Sequence, residues 1–228
     1  MTGKDFIRNI RKSWGLVSRL HLGRSFSSPI SLNVDEEFRD VALDDEAVYE
    51  QLYLVGLRRS HYNFILSDFS YFQFSLEENS IRCAYLPNPF RALDNLDADE
   101  LESMVAEGTL SFDEYADLVA ESLVTIKIPP IRYEFSPNQY REILHPCSHF
   151  HIGYQGENRW PVARKLTPLA FTLLIVRAYY PADWSTFEDH ADEFFNRLNQ
   201  EIVNERINCR KLDNTQFSQK ERRLFHFV

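Results

Sequence analysis

The chain has few of the residues that build a disulfide framework, and it has no apolar run of membrane-spanning length. Three cysteines, Cys83, Cys147 and Cys209, are scattered along 228 residues without a Cys-x-x-Cys pair. This spacing argues for reduced thiols and against a zinc ribbon. No stretch approaches the roughly 18 apolar residues of a transmembrane helix, and the first residues lack the apolar core of a secretory signal. These absences predict a cytoplasmic protein that does not contact a membrane.

Basic residues are missing from one segment, residues 92–122. This segment contains ten acidic residues and no lysine or arginine, whereas the rest of the chain carries 24 acids and 25 bases. The net charge of −9 therefore arises from this segment, and the remaining chain is close to neutral. We interpret the segment as an acidic helical insertion that is solvated, or that contacts a basic protein partner encoded at the same locus.

Hydrophobic residues make up 44% of the chain and aromatic residues 14%, which suffices for a substantial core. Apolar residues at helical spacing predict helices over residues 4–21, 44–58, 169–180 and 184–203. Strand patterns cover residues 62–66, 70–76, 80–86 and 150–152, an extended segment covers 125–134, and an edge strand is expected over 222–228. We therefore predict a single α+β domain over residues 1–228, in which a small antiparallel sheet packs against helices.

Three of the seven histidines, His145, His149 and His151, fall within seven residues. Side chains alternate along a strand, so His149 and His151 are expected to project from one face while Phe150 points to the other. Imidazole titrates near neutral pH and also binds transition metals. The histidine run is therefore the first candidate for a functional site.

Several motifs in the second half of the chain resemble a bacterial family. Residues 130–137, the histidine run at 145–153, residues 158–161 and the Thr167-Pro168 pair resemble a domain of unknown function, family twenty-two ninety. The likeness covers most of the chain. It implies no activity, because the family label gives none.

A looser similarity relates the chain to TumE-like toxin proteins. Those proteins carry an Asp-Gly-Ser element, an aromatic strand, an Arg-Tyr-Asp motif and a closing run of histidines. In this chain Phe69 replaces the glycine and Glu134 replaces the aspartate, and long segments separate the matching pieces. The similarity implies a toxin or an antiphage defence protein.

The residues of these motifs suit cleavage of a phosphodiester bond in RNA. One histidine would remove the proton of the ribose 2′-hydroxyl and another would protonate the leaving 5′-oxygen, so that no cofactor is needed. We assign these roles to His149 and His151, with His145 as a third ring. The other expected site residues are the catalytic Tyr133 and the substrate-binding Arg132, Arg159, Arg164 and Tyr85.

Two other hypotheses use the same observations. In the first, His145, His149, His151 and Glu134 bind zinc or manganese, and the protein is a metal-dependent hydrolase or nuclease. In the second, the histidines are structural and the protein is a non-catalytic subunit that holds a basic partner through residues 92–122. Metal analysis and RNA cleavage assays distinguish the three hypotheses.

Overall fold

The computed structural model describes residues 1–92, 104–105, 107–111, 114, 123–125, 128–156, 158–189 and 194–225. In this part of the chain the helices are α1 (Gly3–Arg19), α2 (Glu36–Leu43), α3 (Tyr49–Arg58), α4 (Pro168–Tyr179), α5 (Pro181–Asp189), α6 (Phe194–Asn208) and α7 (Gln219–Phe225). The strands are β1 (Gly23–Phe26), β2 (Phe64–Leu66), β3 (Tyr71–Glu77), β4 (Ser80–Leu86), β5 (Phe90–Ala92), β6 (Leu123–Thr125), β7 (Ile131–Phe135), β8 (Ser148–Ile152) and β9 (Trp160–Pro161).

The chain divides into two compact units. The larger unit comprises Met1–Pro87 and Pro129–Val228, and it holds a seven-stranded antiparallel sheet in the order β1-β2-β3-β4-β7-β8-β9. The smaller unit, Asn88–Ile128, holds the antiparallel pair β5 and β6. The fold is therefore α+β, as predicted.

One face of the large sheet forms the hydrophobic core with α1 and α4. Phe171 of α4 is fully buried, and its ring contacts Phe72 and Phe74 edge-on at centroid distances of 6.2 and 6.4 Å. The same ring stacks against Phe150 of β8 at 6.3 Å. Thr167 caps α4 by accepting a hydrogen bond from the Ala170 amide, and Pro168 follows at the first helical position, as the sequence predicted.

The opposite face of the sheet is covered by α3 beside β3. The ring of Tyr53 stacks on Tyr71 at 5.4 Å, and Gly56 allows this approach because a Cβ there would lie 2.0 Å from the Tyr71 hydroxyl. Over β4, β7 and β8 the same face carries charged and imidazole side chains. The large sheet therefore has one apolar face and one polar face.

Most predicted elements of the larger unit are confirmed within one to five residues, but short elements were missed. Helix α2 is only eight residues long, so its apolar residues, among them Phe38, Val41 and Ala42, cover too few turns to define a helical period. Strands β1 and β9 are four and two residues long, too short for a pattern. The predicted helix over 184–203 corresponds to α5 and α6, and residues 190–193 between them lie outside the described residues.

The predicted edge strand over residues 222–228 is wrong where the structure describes it, because α7 occupies residues up to Phe225. The Ser218 hydroxyl accepts a hydrogen bond from the Glu221 amide, and the Glu221 carboxylate accepts one from the Ser218 amide. This reciprocal capping box starts a helix and outweighs the alternating pattern that follows. Helix capping therefore decides the secondary structure of residues 219–225.

The acidic segment 92–122 lies mostly outside the described residues. A capping box between Ser111 and Glu114 is present, with the Ser111 amide donating to Glu114 Oε2 at 3.0 Å. The single domain with an acidic helical insertion stays a prediction, as does the contact of this segment with a basic partner. Among the described helices none has the length and apolar character needed to cross a membrane.

We expect Phe171→Ala to lower the free energy of unfolding by about 3–5 kcal/mol, because it leaves a cavity against three aromatic rings. The matched control is Leu174→Ala on the same helix, where the side chain is 42% exposed and the expected loss is about 0.5 kcal/mol. Urea unfolding followed by circular dichroism measures both. Equal losses in the two variants would contradict this assignment of the core face.

Candidate functional site

Three neighbouring strands, β4, β7 and β8, bring the candidate residues together in two rows. In the first row Arg82 lies opposite Glu134, and Glu134 lies opposite His149. In the second row Ala84, Arg132 and His151 follow in the same strand order. Directly opposed residues of antiparallel strands share one face, so the register alone gathers these side chains.

The two histidines of β8 face each other, which confirms that they share one side of the strand. His149 Nε2 and His151 Nε2 are 3.0 Å apart. His149 is fully buried and His151 is 6% exposed. Neither ring is therefore an ordinary solvated histidine.

The second nitrogen of each ring is held by a backbone carbonyl. His149 Nδ1 donates to the Pro146 oxygen at 2.7 Å, and His151 Nδ1 donates to the Gly156 oxygen at 3.2 Å. A carbonyl oxygen can only accept, so both rings carry their proton on Nδ1. In the neutral state both Nε2 atoms then present lone pairs towards each other.

Burial keeps both rings neutral near pH 7. Burial and the neighbouring His151 lower the pKa of His149 to about 4. Burial and Arg132 also lower the pKa of His151. Two facing lone pairs at 3.0 Å repel each other unless a cation lies between or beside them, and an outward Nε2 with Nδ1–H on a carbonyl is the usual arrangement of a metal-binding histidine.

Glu134 adds a carboxylate oxygen to the same point. Its Oε2 atom lies 4.0 Å from His149 Nε2, and the ligand atoms of Glu134, His149 and His151 all lie within 4.8 Å of one another. Bonds from zinc to nitrogen or oxygen are about 2.0–2.2 Å, so one ion can span the separations of 3.0 and 4.0 Å that involve His149. The donor atoms of the trio are those that a divalent transition metal prefers, and a small movement of the Glu134 carboxylate would bring all three to bonding distance of one ion.

Two arginines hold the other oxygen of Glu134. Arg132 Nε and Arg82 Nε lie 3.0 and 3.2 Å from Oε1. Burial raises the pKa of the Glu134 carboxyl, but Arg132 and Arg82 outweigh it and hold the pKa below its usual value. Glu134 is therefore ionised at neutral pH, as a metal ligand must be.

A groove of about 630 Å³ opens above these rows. Glu134, His151, Arg82, Arg132 and Arg159 form its charged floor. The loop after β8 closes one end of the groove, because the Tyr154 hydroxyl donates to the Val41 carbonyl and the Gln155 amide donates to the Asp44 carbonyl. These two hydrogen bonds tie the loop after β8 to α2 and its flank.

His145 lies next to the pair but is not part of the trio. Its ring is 5.0 Å from that of His149, and its buried Nδ1 has no hydrogen-bond partner among the described residues. Of the four ligands in the metal hypothesis, the structure groups three within the described part of the chain, namely Glu134, His149 and His151. His145 is not one of them.

The structure places the side chains of Tyr133 and Arg164 away from the histidines, which corrects the expected site, whereas Tyr85 lines the groove although it is buried. Alternation along β7 and β4 sends both tyrosines to the core face, where Tyr133 bonds Ser148 and the Leu166 amide and Tyr85 bonds Tyr180. Arg164 donates to the carbonyls of Arg206 and Cys209 at the end of α6. Their contacts are structural.

Arg82 is the site residue that the sequence reasoning missed. It lies in a strand that was predicted, between Ile81 and Cys83, which are buried in the core. Alternation therefore places its side chain on the polar face, opposite Glu134. A charged residue in the middle of an otherwise apolar strand was the available signal.

The fold and the site together define an α+β protein with a two-histidine, one-carboxylate cluster at the floor of a groove. The chain matches the family model described as an uncharacterized conserved protein (DUF2290) over residues 21–228. It therefore belongs to this family. No curated protein and no solved structure matches the chain. The similarity to TumE-like toxins is not shown by these comparisons.

We expect both rings of the pair to be Nδ1–H tautomers in metal-free protein at pH 7.5, because their Nδ1 atoms donate to carbonyls. Long-range ¹⁵N–¹H spectra in EDTA measure the protonation of each ring nitrogen, with exposed His21 as the reference. Added metal should then shift the Nε2 resonances of His149 and His151. A proton found on Nε2 and absent from Nδ1 in either ring would contradict this geometry.

Proposed function

We propose that the protein is a metal-dependent phosphodiesterase that hydrolyses RNA and related phosphodiesters. The observation that carries this proposal is the convergence of two unprotonated Nε2 atoms and an ionised carboxylate at one point. A divalent metal such as zinc or manganese at this point is the best match for the donor set. A metal held by Glu134, His149 and His151 would supply the activation of a water molecule at neutral pH.

The remaining residues of the site bind and orient the substrate. Arg82 and Arg132 use Nε to contact Glu134, and their Nη groups form no hydrogen bond with any residue that the structure describes. Both side chains are about half exposed in the groove, so their Nη groups are available to a phosphate in the bidentate manner that guanidinium groups favour. Arg159 lines the same groove.

Three acidic residues among those described, Asp35, Glu77 and Glu134, line the groove together with four arginines, so the lining keeps a positive balance of charge. Asp35 is paired with Arg59 at 3.0 Å, and Glu134 is shared between two arginines and the proposed metal. Arg82 and Arg132 would stabilise the negative charge that develops on a phosphoryl group during hydrolysis.

The reaction consumes one water. Its oxygen bonds to phosphorus while the bond from phosphorus to the ribose oxygen breaks, and the electron pair of that bond stays on the leaving oxygen. That oxygen gains a proton, and the water gives one up. The nucleophile is water, so the 2′-hydroxyl is not required.

The metal-free mechanism is less well supported by this geometry. It needs one of the two rings to be protonated near pH 7, whereas burial lowers the pKa of both. The two Nε2 atoms also face each other, whereas an acid and a base would each have to face the substrate in the groove. A role in a toxin or antiphage defence system, and a protein partner of the same locus, stay predictions.

The first test measures metal binding by calorimetry on metal-free protein, and we expect a single ion per chain. His149→Ala and Glu134→Gln should each weaken binding at least ~100-fold, because even outer partners of metal ligands are worth roughly 10–100-fold. The matched control is His21→Asn, since His21 is exposed and asparagine tolerates its φ of 58°. Unchanged affinity in both folded ligand variants would exclude the site.

The second test compares RNA and DNA oligonucleotides of one sequence. With zinc or manganese added we expect both to be cut, EDTA to stop cleavage, and His149→Ala to be inactive, because the nucleophile is supplied at the metal. Gel analysis of the products measures this. Cleavage that survives EDTA and requires the 2′-hydroxyl would replace our proposal with the acid–base mechanism.

A further inference from the structure

The wall of the groove that lies across from the charged floor is apolar. It is formed by α2 and its flanks together with α3, and its apolar members are Val34, Phe38, Ala42, Leu43 and Leu52. Val34 and Leu43 are 61% and 74% exposed. Large apolar side chains at the rim of a pocket are typical of a ligand-binding surface.

The groove therefore presents a positively charged surface and an apolar surface to the same ligand. The floor presents the guanidinium groups of Arg82, Arg132 and Arg159, and the wall presents apolar carbon. A bare phosphate would satisfy the floor and leave the wall exposed. A purely apolar ligand would leave the exposed Nη groups of Arg82 and Arg132 without a contact to the ligand.

Phe38 gives the wall an aromatic surface. Its ring is half-buried and contacts the His61 ring at 4.8 Å, so the two rings support each other. The groove volume of about 630 Å³ lies in the range of sites for small organic ligands. Planar heterocycles stack on aromatic side chains, and bases of single-stranded nucleic acid do so regardless of sequence.

We propose that this wall is a nucleobase subsite, in which Phe38 stacks on the base of a nucleotide whose phosphate lies on the arginine floor. The inference rests on the proposed function, because it takes the phosphate as the group at the floor. It adds a contact to the base, which would select nucleotides over other phosphate esters. It also assigns a specificity-determining role to α2, an element without buried residues.

The test compares two probes that carry the same phosphate, adenosine 5′-monophosphate and ribose 5-phosphate, by calorimetry in EDTA. We expect the nucleotide to bind about 10-fold tighter, which is the order of one stacked base. Phe38→Ala should remove this preference and leave the affinity for ribose 5-phosphate unchanged. Phe38→Trp should keep it. The control is Phe69→Asn, because Phe69 is an exposed aromatic outside the groove with a positive φ that asparagine tolerates.

Equal binding of the two probes, or binding of neither, would overturn the subsite. A preference that survives Phe38→Ala would overturn the role of Phe38. Octyl phosphate is a third probe, and if it binds as tightly as the nucleotide the wall receives an alkyl chain and the inference is wrong. Because EDTA removes metal from every arm, these outcomes are independent of the metal titration, whose failure would instead overturn the proposed function.

Discussion

The two hydrogen bonds from histidine Nδ1 atoms to backbone carbonyls are the constraint on which the rest of the site depends. The carbonyls of Pro146 and Gly156 fix the tautomers of His149 and His151, and thereby direct two lone pairs to one point. Without these bonds either ring could turn its protonated nitrogen inward and share a hydrogen bond with the other. With them, the pair is a poor proton donor and a good metal ligand set.

The carboxylate is kept at that point by charge. Glu134 lies on a partly buried sheet face, where an unpaired carboxylate would be costly. Arg82 and Arg132 stabilise its ionised form through one oxygen and leave the other oxygen directed to His149. The same two guanidinium groups keep their Nη atoms available in the groove. Two residues thus hold the carboxylate and provide an anion-binding surface.

Part of this arrangement can be predicted from the pattern of residues along the sequence. The same-face projection of His149 and His151 follows from strand alternation, and the capped start of α4 follows from Thr167-Pro168. The errors have a common cause. Tyr133 and Tyr85 are expected in the site because they belong to the motifs that resemble the toxin proteins, although their own alternation places both side chains in the core. Arg82 was overlooked because its partner is 52 residues away in the chain.

By itself the sequence determined the α+β class, the strands that carry the candidate residues and the shared face of the two histidines, because all three depend on local periodicity. Only the tertiary structure decided which strands are neighbours, and therefore that Arg82, Glu134 and His149 form one row. It also decided the tautomers, since the carbonyl that binds His151 belongs to a loop whose course is set by contacts with Val41 and Asp44. Strand pairing and loop docking are long-range, and residue spacing does not encode them.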